Sequence, residues 1–198
     1  EEIKVLKRLP DNEAARLADL GIDGFLKGLS GDELNVWDHF QPTCTISGFL
    51  SGYTGAGSKT VLPSTAMAKL DMRLVANQDP FDIYEKLRKH LDDQGFSDIE
   101  TELLGPGFPA RTSFQAPIAK IVADTYTELY GQQPVIHPTS LGSGPWYQLC
   151  TQFGIDACTA GVGNAKSQAH APNENILVED YWMGIKHIAA IIERFAED

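Results

Sequence analysis

From Thr43 onward the chain changes its hydrophobic rhythm. Thr43 to Leu50 reads as a strand, Gly52 to Ser58 is a polar loop with three glycines, and Ala66 to Val75 alternates. In that last stretch Ala68, Leu70, Met72 and Leu74 fall on one face and Lys69, Asp71 and Arg73 on the other, which predicts a sheet with one buried side. Asp79-Pro80 predicts a helix start, a side-chain cap followed by proline at the first helical position. Ile83, Leu87 and Leu91 carry its apolar face and Gly95 ends it, and Ile99 to Leu104 reads as a further strand. Before residue 43, Asp11 can cap a helix carrying Ala14, Leu17, Ala18 and Leu20 that stops at Gly21, followed by weaker order through Phe25, Leu26, Leu29, Val36 and Trp37.

Gly105-Pro106-Gly107-Phe108-Pro109 interrupts both periodicities and is the candidate boundary. Beyond it the pattern predicts a helix along Ile118, Ile121, Val122, Thr125 and Leu129 closed by Gly131. A short strand at Val135-Ile136, a helix from Pro145 to Phe153 and a strand from Ile155 to Thr159 follow. A final helix runs from about Val178 to Phe195, with Tyr181, Trp182, Ile185, Ile188, Ala189 and Ile192 directed inward. The first part reads as a small α+β layer and the second as the edge of an α/β sheet, without an internal repeat.

Composition narrows the functional classes. The 198 residues carry 27 acidic and 16 basic side chains, a formal charge of −11, which disfavours nucleic acid and anionic membrane surfaces as partners. No apolar run approaches the ~18 residues of a membrane span, and the first residues do not resemble a signal peptide. Cys44, Cys150 and Cys158 are an odd number without paired spacing, so a disulfide framework is not expected and a cytoplasmic setting fits.

Several residues invite chemistry. Gly52 to Thr60 has the look of a phosphate loop, but Ser58 separates Gly57 from Lys59, and Pro63 with a strand stands where a helix should receive the phosphate. Leu141-Gly142-Ser143-Gly144-Pro145 lacks the first glycine of a nucleophile elbow. Two readings stay open there: a tight strand-to-helix turn, or backbone N–H donors that bind a carboxylate with Ser143 adding another. Of five histidines, His90 and His187 read as surface groups on helices, His137 before Pro138 is open to either reading, and His39 carries no signal. His170 stands in a long irregular stretch, Gly161 to Asn175, where loops carry chemistry. Arg73, mid-strand, is either solvated or paired with Asp71, or else a bidentate anion clamp.

Taken in order, Gly55-Ala56-Gly57-Ser58-Lys59-Thr60-Val61-Leu62-Pro63, Met72-Arg73-Leu74-Val75-Ala76-Asn77, Gly142-Ser143-Gly144-Pro145 and Ala169-His170-Ala171-Pro172-Asn173-Glu174 resemble the carnosinase and aminoacylase-like zinc metallopeptidases. Members of that family are dimers of an α/β catalytic domain with an inserted lid domain. Two metal ions, usually zinc, activate a water, and a glutamate acts as general base. The resemblance implies an α+β chain whose residues 1–107 are the later part of a lid or dimerisation domain with a helical lead-in. Residues 108–198 would be the C-terminal part of the catalytic domain. It implies that His170 is a metal ligand, that Arg73 with Gly142 and Ser143 holds the substrate's carboxylate end, and that Thr60 reaches a neighbouring subunit's site. The family's other metal ligands, its general base and its lid histidine lie upstream of residue 1 in this reading. The expectation is therefore a C-terminal fragment, inactive alone, of a dipeptidase or amidohydrolase acting on peptides or N-acyl amino acids. It would be a homodimer through the lid and use two zinc ions that the fragment does not retain. The rival reading is a non-catalytic dimerisation or binding module.

Overall fold

The computed structural model describes residues 2–140, 142–164 and 166–197. Among the described residues there are seven α-helices and one two-stranded antiparallel sheet, besides two short 3₁₀ turns: α1 Glu2–Leu6, α2 Glu13–Leu20, α3 Gly31–Phe40, β1 Thr43–Ser51, β2 Ala66–Arg73, α4 Pro80–Asp93, α5 Pro117–Tyr130, α6 Trp146–Leu149 and α7 Val178–Glu197. The fold class is α+β, as the pattern predicts. The chain divides into two compact units. One holds residues 1–35, 110–140 and 144–198; the other holds 36–109 with 141–143.

In the helical unit, buried side chains include Leu6, Leu29, Leu34, Ala116, Ile121, Thr125, Ser167 and His187, with Leu6 and Thr125 fully enclosed. Residues 2–35 thus fall in the same compact unit as α5 and α7, although the boundary read from the sequence groups them with the sheet. Asp11 does help start α2, accepting the Glu13 backbone N–H at 3.1 Å, and Gly21 ends it with φ +64°. Helix α3 arises where the sequence shows only weak order. Its signal is Ser30 three residues before Glu33, the spacing of a capping box.

Helix α7 packs otherwise than its stripe predicts. Tyr181, Trp182, Ile185, Ile188 and Ile192 are exposed, Trp182 by 58%. The face that packs carries Gly184 and His187, the latter only 5% exposed against α5. The reading of His187 as a surface group is therefore corrected. A helix apolar on more than one side offers two faces, and periodicity alone does not choose between them. Gly184 lets the loop residue Val162 approach α7 closely: a Cβ there would overlap Val162 Cγ1. Gly184→Ala should lower the melting temperature despite the better helix propensity of alanine, because overpacking costs about 1–3 kcal/mol. Adding Val162→Ala should recover the loss; a double-mutant cycle of melting temperatures measures this.

In the other unit, β1 and β2 pair from Thr43↔Arg73 to Ser51↔Ala66, with Ser47 as an extra residue between Ile46↔Leu70 and Gly48↔Lys69. This bulge leaves Ile46 and Phe49, three residues apart, on the same face as Ala68, Leu70 and Met72. Thr43 and Thr45 share the opposite face with Lys69, Asp71 and Arg73. The division of β2 into faces follows the sequence; its burial does not, for only Met72 is even half-buried. Asp79 caps α4 through the Phe81 N–H at 2.8 Å and the Asp82 N–H at 3.4 Å, with Pro80 at the first position.

The strand expected at Ile99 to Leu104 does not form. Arg88 of α4 donates to the Ile99 carbonyl at 2.5 Å and Tyr84 to the Thr101 carbonyl at 3.1 Å, so side chains take the groups a ladder would use. Val135-Ile136 and Ile155 to Thr159 also lie outside any ladder; the Ala157 N–H donates to Thr112 Oγ1 instead. The helix expected from Pro145 to Phe153 is split into α6 and a 3₁₀ turn at Thr151–Phe153.

Ile46, Phe49, Leu70, Trp182, Ile192 and Phe195 are among many large apolar side chains left in solvent. Burying such surface is worth roughly 25 cal/mol per Å², which outweighs repulsion between screened charges. The isolated chain should accordingly self-associate at micromolar concentration, and sedimentation velocity showing a single monomer would contradict this.

Candidate functional site

Strand β2 ends at Arg73, and the strand's period of two sets its side chain beside that of Asp71. Arg73 Nε donates to Asp71 Oδ1 at 2.7 Å, and Arg73 Nη1 donates to Ser143 Oγ at 2.6 Å. Both charged side chains remain about half exposed, 52% for Arg73 and 48% for Asp71. The guanidinium thus faces solvent from the polar side of the sheet, away from Leu70 and Met72. Seventy residues separate Arg73 from Ser143, yet they meet directly. The pairing with Asp71, one of the readings of Arg73 that the sequence leaves open, is present, and the contact with Ser143 exists beside it.

Chemically this is a cluster of donors. A guanidinium has five N–H groups, of which Asp71 and Ser143 each take one. Ser143 Oγ accepts from Arg73, so its own proton is available to a further acceptor. Gly142, adjacent, is exposed. Such an array suits a planar anion, above all a carboxylate. From the sequence, Asp71 is only a candidate ion-pair partner of Arg73; its signal is the i, i+2 spacing that places it on Arg73's face of the strand.

Thr60 lies in the exposed connection between β1 and β2, and no hydrogen bond joins it to Arg73 or Ser143. His170 belongs to the helical unit. It is exposed and adopts φ +62°, between Gln168 at +51° and Asn173 at +64°. Left-handed backbone is costly for side chains with a Cβ, and three such residues within six need external support. Buried Ser167 supplies it: its Oγ accepts the Asn164 N–H at 2.9 Å, and its carbonyl accepts the Asn175 N–H at 2.9 Å. Asn175 Nδ2 further donates to the Lys166 and Asn173 carbonyls at 3.2 and 3.0 Å. The stretch predicted as irregular is a tied loop that presents His170 outward.

Among the described residues no three His, Cys, Asp or Glu side chains gather to hold a metal ion. A two-metal centre needs several such ligands, so His170 alone does not fit one. The three cysteines are free thiols, and no helix among the described residues is long and apolar enough to cross a membrane.

Comparison with known proteins places these features in a family. Residues 7–194 match the model of peptidase family M20/M25/M40. Among solved structures, an M20 family metallo-carboxypeptidase, Sso-CP2 from Sulfolobus solfataricus, superposes with a TM-score of 0.84 at 37% identity, covering 96% of this chain and 44% of that one. The dipeptidase Dug1p from Saccharomyces cerevisiae gives 0.81 at 20% identity, covering 98% and 42%. Human carnosine dipeptidase 1 gives 0.75 at 19%, covering 96% and 41%; at such identities these two speak for the fold alone. The chain therefore spans less than half the length of the solved structures it matches. With the family model running from residue 7 to residue 194, this chain belongs to peptidase family M20/M25/M40.

Proposed function

We propose that this chain is the C-terminal portion of a metal-dependent peptidase of the dipeptidase type, and that it supplies recognition of the substrate's carboxylate end. The observation that carries this reading is the contact of Arg73 Nη1 with Ser143 Oγ at 2.6 Å on the exposed polar side of the sheet. A guanidinium, a hydroxyl and the turn at Gly142 form the kind of array that fixes a carboxylate. Fixing one end of a short peptide orients its amide bond for hydrolysis. Membership of the M20 family supports hydrolysis as the reaction and a metal as its cofactor. Zinc is the metal we assign, with His170 as one ligand; the remaining ligands and the general base would come from residues outside this chain. The sheet-bearing unit is assigned to the lid and the helical unit to the catalytic domain. The full-length enzyme would dimerise through the lid, with Thr60 reaching a partner's site, and would act on peptides or N-acyl amino acids in the cytoplasm. Alone, the chain would be inactive, because a water-activating centre cannot be assembled from one histidine. The test is dipeptide hydrolysis by the full-length protein carrying Arg73→Ala, set beside its thermal stability. Turnover equal to the unsubstituted enzyme would remove Arg73 from the site.

A further inference from the structure

Asp71 is the nearest charged neighbour of the proposed carboxylate site, and it carries the same sign as the ligand. An acid so placed weakens attraction for any anion, which calls for an explanation. The geometry provides one. Asp71 Oδ1 lies 2.7 Å from Arg73 Nε and engages no terminal nitrogen within hydrogen-bond distance. Ser143 Oγ takes one N–H of Nη1 at 2.6 Å. Two anchors on different nitrogens fix both the position and the plane of the guanidinium, whereas an unanchored arginine on a strand samples many rotamers. Three N–H groups, two on Nη2 and one on Nη1, are left without an acceptor among the described residues. The Ser143 proton is also free to donate.

We propose that Asp71 is a positioning residue for carboxylate recognition: it holds the Nε edge of Arg73 so that the terminal N–H groups and the Ser143 hydroxyl are aimed before substrate arrives. The proposal rests on the reading of Arg73 and Ser143 as the carboxylate subsite. It also gives the negative charge a purpose. Asp71 cancels the formal charge of Arg73, so the pair discriminates by hydrogen-bond direction. A planar carboxylate matches the aimed donors; chloride or sulfate, attracted chiefly by charge, gains little.

The experiment compares Asp71→Ala, Asp71→Asn and Arg73→Ala in the full-length protein, by dipeptide hydrolysis, inhibition by chloride and sulfate, and the NMR signal of the Arg73 Nε–H. Asparagine keeps a carbonyl oxygen for Nε–H but loses the charge. Asp71→Ala should lower kcat/KM by about tenfold to a hundredfold, the scale of a misplaced binding group. It should also abolish the slowly exchanging Nε–H signal while the melting temperature stays within the range of other surface substitutions. Asp71→Asn should restore most of the activity and the Nε–H signal, yet show stronger inhibition by chloride and sulfate. If Asn rescues no better than Ala, charge and not direction matters, and the proposal fails. Wild-type activity in Asp71→Ala beside an impaired Arg73→Ala overturns the role of Asp71 and leaves the subsite standing. Wild-type activity in Arg73→Ala overturns the subsite itself.

Discussion

Arg73→Ala in the full-length enzyme is expected to lose most of its catalytic efficiency while keeping its fold. The guanidinium has three N–H groups left after Asp71 and Ser143 are served, enough for two parallel bonds to a carboxylate. Charge-assisted hydrogen bonds are worth roughly 1.5–3 kcal/mol each, so every bond lost corresponds to about tenfold to a few hundredfold in kcat/KM. Lysine offers a point charge in place of a fork, so Arg73→Lys should fall between the two. Stability should barely move. The ion pair with Asp71 is half exposed on both sides, and pairs of that kind contribute about 0–1 kcal/mol. Hydrolysis rates and melting curves measured together decide the matter. Unchanged turnover with a collapsed melting temperature would make Arg73 a structural residue.

His187→Ala should produce the largest loss of stability. His187 Nε2 lies 3.1 Å from the Val122 carbonyl, which can only accept, so that nitrogen carries a proton. The Thr125 hydroxyl donates to the Ile121 carbonyl at 2.7 Å and therefore turns a lone pair toward the same Nε2–H, also at 3.1 Å. Tyr126 and Tyr130 stand edge-on to the imidazole at 5.7 and 6.0 Å. Truncation would empty a space between α5 and α7 and strip a buried hydroxyl of a partner. Together these should cost about 2–4 kcal/mol, lowering the melting temperature by roughly 5–15 °C. His187→Phe, which fills the volume without donating, should recover part of the loss. A melting temperature unchanged in His187→Ala would show that the two helices are held elsewhere.

Much of this architecture was legible in the residues. Strand β2, helices α4 and α5 and their stops follow from local chemistry: alternation at Ala66 to Arg73, the Asp79-Pro80 cap, Gly131 in left-handed conformation. Such signals act within a few residues and need no distant partner. The failures share the opposite property. Ile99 to Leu104 and Ile155 to Thr159 have strand-like composition, but a strand exists only with a neighbour to pair with, and side chains satisfy part of their backbone here. Helix α7 was placed correctly and faced wrongly, because periodicity reveals how many apolar sides a helix has and not which one meets α5. Arg73 and Ser143 could each be nominated from local sequence. Their contact could not, since nothing near either residue encodes a partner seventy positions away. Asp71 was visible only as an alternative explanation for Arg73, and the structure makes it a companion instead.

Ser47 has a bearing on how this hairpin can change over evolutionary time. Removing that one residue would restore an uninterrupted ladder and keep both halves of β1 in phase, because Ile46 and Phe49 would then stand two positions apart on the face they already share. A second deletion would have no extra residue to absorb it: either Phe49 would move to the side that displays Arg73, or Thr43 and Thr45 would trade places with Cys44 and Ile46. Within Thr43–Ser51, loss of Ser47 thus keeps the frame of the sheet, whereas a deletion beyond it is a frame error that needs a compensating insertion. The connection from Gly52 to Thr65 carries no such parity and can lengthen or shorten one residue at a time.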